Sequence, residues 1–186
     1  MARFNEVKAT FWGDGRHGVQ PPLTEAAVHE TEVQLGVRLP SSFLELLRCR
    51  NGGQVAARWD AFPTDVPTSW SEDHVPFDMM MGIGRHDDRL SLSDTPYLVE
   101  EWGLPSPIVL LSGDGHCWIA LDYRVCGRQG EPSVTWFDAD GNSELALAAD
   151  FRAFVEGLTA AEIFDADGQD GDPPAPQVAV PAPKEE

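Results

Sequence analysis

Three groups of residues in this sequence are of types that could carry chemistry. The first is Asp138-Ala139-Asp140-Gly141-Asn142, which begins with the acid spacing of a calcium loop. Such a loop needs glycine at its sixth position and a bidentate glutamate at its twelfth. Ser143 and Ala149 stand there instead, so a turn is expected. Asp165-Ala166-Asp167 fails in the same way, with Asp170 and Pro176 at those positions. The second group is glycine: Gly13-Asp14-Gly15, Gly82-Ile83-Gly84 and Gly113-Asp114-Gly115. Each has the composition of a phosphate-cradling loop, but none sits between a strand and a helix and no Gly-Lys-Ser/Thr follows. The third group is His17, His29, His74, His86 and His116 with Cys49, Cys117 and Cys126. His86 beside Asp87 and Asp88 offers the atoms of a metal site or an oriented base, yet no His-x-x-x-His or second ligand pair accompanies it. An activated thiolate needs an electropositive setting; Cys49 is expected to be buried beside a helical apolar stripe, and Cys117 opens a strand. An enzyme would have to use His86, Asp87, Asp88, Asp114 or His116, which no spacing connects. The expectation is a protein that is not an enzyme, with no catalytic residue, cofactor or metal site assigned.

Charge narrows the partners. Thirteen Lys and Arg against 31 Asp and Glu give −18, which repels phosphate backbones and anionic lipid. Nucleic acid and membrane are therefore disfavoured. Between Asp60 and Trp102 ten acids face two arginines, Arg85 and Arg89, so part of the charge is concentrated in one stretch. The longest apolar runs, such as Pro107 to Leu111, are far shorter than the ~18–20 residues of a membrane span. The opening Met1 to Glu6 has no apolar signal region. An odd number of cysteines without a Cys-x-x-Cys pair suits a reducing compartment. Cytoplasmic localisation is the expectation.

The elements that would position these residues can be read from spacing. Thr24 is placed as N-cap, with Leu23 and Val28 as a hydrophobic staple and Gly36 as the stop. A second helix follows Pro40, with Ser42 and Glu45 at capping-box spacing and Phe43, Leu44, Leu46 and Leu47 as its stripe; Asn51-Gly52-Gly53 should end it. From Trp59 to Pro107 prolines and glycines predict loops, short strands and one short helix near Pro96–Trp102. Ile108–Leu111, a Ser112–Gly115 turn and Trp118–Tyr123 form a hairpin pattern, and Val134–Phe137 supplies a third strand. Asp150 opens a last helix with Phe151, Phe154, Val155 and Leu158 on one side. The layout is α+β, with a core of Leu39, Phe43, Leu47, Ile108, Leu110, Trp118, Leu121, Trp136, Phe151 and Phe154. Residues 1–164 are expected to form a single domain. Residues 165–186, with five prolines and no aromatic residue, are expected to be a disordered acidic tail.

Glu32-Val-Gln-Leu35-Gly36-Val-Arg-Leu39-Pro40, the helix through Phe43 and Leu47, and Asn51-Gly52-Gly53 resemble the SMI1/KNR4 (SUKH) family. Val109 to Gly115, Trp118 to Asp122, Val134 to Asp138 and Asp150 to Val155 resemble its later strands and closing helix in the right order. The likeness runs from about residue 23 to residue 160; the acidic stretch and the tail depart from it. It implies an antiparallel meander packed with helices, an N-terminal helix pair and a C-terminal helix. For many bacterial members it implies an immunity protein that neutralises a polymorphic or contact-dependent toxin. Eukaryotic members are associated with cell-wall regulation and signalling scaffolds, so a housekeeping scaffold is the alternative, and no catalytic residues come with the likeness.

A protein-binding module needs a face. Two roles stand open for Trp59 and Trp70: pinning a loop from below, or anchoring a partner. Trp70 with Glu72, Asp73, Asp87 and Asp88 marks the expected partner-binding surface, suited by charge to a basic toxin domain, including a nuclease cleft. Truncation at Asp165 should leave the melting temperature unchanged, because the tail's composition cannot form a core. A drop of several degrees in a thermal melt would show that the tail docks on the domain.

Overall fold

The Thr24 side chain accepts the Ala27 amide at 3.1 Å and opens a helix that runs Glu25–Leu35. Gly36 closes it in the left-handed region at φ 66°, where a side chain would be strained. This computed structural model describes residues 2–84 and 90–165. In chain order the helices are α1 (Ala2–Thr10), α2 (Glu25–Leu35), α3 (Ser41–Cys49), α4 (Thr95–Glu101), α5 (Phe151–Gly157) and α6 (Glu162–Asp165). The strands are β1 (Gly53–Gln54), β2 (Ala61–Pro63), β3 (His74–Pro76), β4 (Met79–Met80), β5 (Ile108–Gly113), β6 (Cys117–Asp122), β7 (Ser133–Asp138) and β8 (Ser143–Ala148). A short 3-10 turn, Leu92–Asp94, leads into α4.

The main sheet is an antiparallel meander in the order β5-β6-β7-β8. All of β6 is buried, so both of its faces are covered. α5 packs on β7 and β8 and α4 on β5. The Phe43 ring of α3 meets Phe151 of α5 edge-on at 5.1 Å, and every residue expected in the core is buried. Two small antiparallel pairs, β1 with β4 and β2 with β3, order the stretch before the sheet.

Several local expectations need correction. α1 precedes the expected helix pair and buries Phe4 and Val7, with Phe11 just beyond its end. Its Lys8 pairs with Glu45 at 2.7 Å. Glu45 is therefore engaged elsewhere and the Ser42–Glu45 capping box is not made: α3 begins at Ser41 after Pro40, with no side-chain cap. Cys49 is exposed, not buried, because it lies at the solvent-facing end of α3. β8 adds a fourth strand to the three that the sequence predicts for the meander.

Asn51-Gly52-Gly53 is more than a helix stop. α3 ends earlier, at Cys49, with Arg50 in extended conformation. The buried Asn51 amide donates to Pro21 O at 2.6 Å and to Ile83 O at 2.7 Å, and its oxygen accepts the Ile83 amide at 2.8 Å. A Cβ at Gly52 would lie 2.6 Å from the Gly82 nitrogen, and φ there is 83°, so only glycine permits this approach.

Other fastenings also run from a side chain to distant main chain. The buried Tyr123 hydroxyl donates to Arg38 O at 2.7 Å, and Arg3 Nε to Glu156 O at 2.9 Å. Gln34 donates to Ser93 O at 2.9 Å. Asn51→Ala should destabilise the fold by about 3 kcal/mol, since it leaves buried carbonyl and amide groups without partners. Asn51→Asp, which keeps the acceptor but loses both donors, should do no better. Urea denaturation of both variants checks this; a loss below about 1 kcal/mol in each would show that water replaces the clamp.

Candidate functional site

The β5–β6 turn is built by one carboxylate. Asp114 Oδ1 accepts the amides of His116 and Cys117, each at 2.9 Å. Gly115 sits at φ 100° with the Trp102 ring 3.1 Å from where its Cβ would be, so the turn is pressed against the residue that follows α4. The other oxygen, Asp114 Oδ2, accepts the indole N–H of Trp70 at 3.2 Å.

Trp70 is carried by a loop that bonds to itself. Thr68 Oγ1 accepts the amides of Trp70 and Ser71, and the Thr68 amide donates to Ser71 O at 2.8 Å. The half-buried Trp70 ring lies against Trp136 of β7 at 6.4 Å. Trp70 therefore pins its loop to the sheet while keeping part of its surface open. Trp59 is buried, with its indole N–H on Thr10 Oγ1 at 3.0 Å and Arg3 over its ring, so it belongs to the core.

Beside this turn lies the β7–β8 turn, in which Asp138 Oδ1 accepts the Gly141 amide at 2.7 Å. Asp140 meets His116 Nδ1 at 2.8 Å, and His116 packs against Trp102 at 5.5 Å. The segment expected to be a turn rather than a calcium loop is a turn. Further along, Asp73 accepts from His74 Nδ1 at 2.8 Å and from Ser71 Oγ at 3.2 Å, and the His74 ring stacks on Phe164 at 4.4 Å.

The expected partner-binding residues are thus partly placed. Trp70 sits at the sheet end, and Glu72 and Asp73 are exposed in the same loop. Asp87 and Asp88, with His86, lie outside the described residues. Asp114, Asp138, Asp140 and Trp102 join the face without having been singled out for it. What could have found them is that acids cluster in both turns at one end of a meander, which brings them together in space.

The electrostatics suit an anionic surface. Burial raises the Asp114 pKa, but the amides of Cys117 and His116 and the Trp70 indole outweigh it, so the carboxyl lies below its ordinary range. The hydrogen bond from His74 lowers Asp73, and the Gly141 amide lowers Asp138. Burial pushes the Cys117 thiol up, and Asp138, Asp114 and Asp140 push the same way, a setting that disfavours a thiolate. Among the described residues no group of three or more His, Cys, Asp or Glu side chains could hold a metal ion.

Comparison with protein families is decisive for the scaffold: the SMI1 / KNR4 family (SUKH-1) matches residues 22–157. The chain belongs to that family. The SUKH-1 match takes in α2 through α5, Asn51 with its partner Ile83, and both acidic turns. It leaves out α1 and the tail. No curated protein matches the chain.

Asp114 links this face to pH. Its pKa is depressed in the folded state, so its stabilisation is present above the ordinary aspartate value of ~3.9 and is lost as pH falls through the lower folded value. Asp114→Asn should be about 1 kcal/mol less stable near neutral pH, and the gap should close in acid. Chemical denaturation near pH 7 and near pH 3 measures it; a gap of equal size at both would assign the stabilisation to packing rather than charge.

Proposed function

We propose that this SUKH-1 domain is a protein-binding module that works in the cytoplasm as an immunity protein, neutralising a basic toxin domain by direct binding rather than by catalysis. The observation that carries this reading is the face at one end of the meander. There Trp70 is tied to Asp114, Trp102 backs His116, and Asp73, Asp138 and Asp140 stay exposed or half-exposed around them. Glu72 belongs to the same loop, and Asp87 and Asp88 extend its acidity in the sequence.

Three physical arguments support it. Fixed carboxylates with depressed pKa values remain charged at neutral pH and steer a basic partner into encounter. A tryptophan already held by one hydrogen bond and one ring contact loses little freedom on binding, which favours an anchor. A net charge of −18 opposes nucleic acid and anionic lipid, and among the described residues no helix is long and apolar enough to cross a membrane.

Co-purification with mass-spectrometric identification names the partner, and association kinetics then test the face. Charge reversal at Glu72, Asp87 and Asp88 should slow association and weaken its salt dependence. Trp70→Ala should mainly speed dissociation, by roughly thirtyfold, equivalent to about 2 kcal/mol. Unchanged kinetics in folded variants of both kinds would remove this surface as the interface.

A further inference from the structure

The two edges of the main sheet are treated differently. Along β5 the edge is covered: Leu111 O accepts the Met81 amide at 2.7 Å, and the Leu110 amide is taken by Thr95 Oγ1 at 3.2 Å. Along β8 nothing comparable occurs among the described residues. Among the described residues β8 has β7 as its strand partner and makes no backbone hydrogen bond to any loop or turn. An edge strand turns every second residue's N–H and C=O away from its neighbour, and those groups form a template for another strand.

Proteins protect such edges with proline, lysine, shortness or bulges. β8 reads Ser-Glu-Leu-Ala-Leu-Ala, six residues without proline or lysine. Its one charge, Glu144, is drawn back to Arg124 at 3.0 Å. The register slips once, opposite Val134 and Thr135, which leaves Ser143 to Ala146 regularly paired with Asp138 to Thr135.

We propose that the outer edge of β8 is a strand-pairing site that takes an extended, basic segment of a partner protein as an added strand of the sheet. The charge around the edge selects the occupant. Asp138 and Asp140 lie at its Ser143 end and Asp150 just past its other end, while Arg124 is already held by Asp122 and Glu144. A second copy of this chain would bring another −18, and the tail's own acids at Asp165, Asp167, Asp170 and Asp172 meet the same repulsion. The edge is also continuous with the face described above, because Leu145 is the cross-strand neighbour of Trp136, on which Trp70 rests. The proposal rests on the protein-binding reading and adds how the partner's main chain is held.

The probe is a capped peptide alternating lysine and valine, with a glutamate–valine peptide as the charge control. Both are added to the full chain and read by amide hydrogen exchange and nitrogen–proton correlation spectra. The lysine peptide should slow exchange of the outward amides in Ser143–Ala148 by about tenfold or more. The glutamate peptide should not, and Ala146→Lys, at an exposed position, should abolish the effect. Equal protection by both peptides, or none at β8, overturns the proposal. Shifts confined to Trp70–Asp73 overturn strand pairing while leaving the acidic-face reading intact. Protection already present without peptide overturns it in favour of a second copy if dilution removes it, or of the tail if truncation at Asp165 removes it.

Discussion

The buried amide of Asn51 is the constraint from which the rest of the molecule can be followed. One side chain satisfies three main-chain groups on two segments that are far apart in sequence, at Pro21 and Ile83. It does so where Gly52 and Gly82 bring two backbones closer than any side chain would permit. A buried polar group is costly when left without partners, so each bond of this arrangement supports the others. It fixes the segment entering α2, the end of α3 and the strand pair β1–β4 against one another. Through the Met81 amide on Leu111 it also fixes the first edge of the main sheet.

From that edge the meander propagates outward, and its character changes as it goes. β6 is wholly buried, β7 nearly so, and β8 mostly open. The turns at one end carry aspartates because each turn needs an acceptor for its own free amides: Asp114 serves His116 and Cys117, and Asp138 serves Gly141. The same carboxylates that close the turns locally therefore form an acidic surface collectively. Trp70 uses one of them, so the loop from Thr68 to Ser71 is seated on the sheet by the residue that also charges it.

Much of the scaffold was legible in the sequence because local signals and global packing agree there. Thr24, Gly36, Asp150 and the stripe of α3 each sit where propensity, capping and burial point the same way. α1 has the right apolar spacing in Phe4, Val7 and Phe11, but those positions are few, and the helix is placed by its packing against α5. β8 was illegible for another reason. Leucine and alanine are helix-favouring residues, and only the waiting edge of β7 makes a strand of them. The candidate site divides in the same way: Trp70, Glu72 and Asp73 are neighbours in the chain, whereas Asp114 joins Trp70 only once the sheet is folded, with Asp138 and Asp140 in the adjoining turn. Asn51-Gly52-Gly53 carries the family likeness without disclosing its reason, since the two carbonyls and the amide that Asn51 holds belong to residues that sequence proximity does not suggest.

Four side chains that fasten distant segments share one trait: Asn51 on Pro21 and Ile83, Tyr123 on Arg38, Arg3 on Glu156 and Gln34 on Ser93 all end on main-chain atoms. A carbonyl is present whatever side chain its residue bears. Exposed fastened positions such as Pro21 and Arg38 are thus free to drift while the fastening residues stay, and drift there changes the outer surface without loosening the frame. Such a frame can be re-dressed one exposed residue at a time, with no matching change required in the residue that holds it.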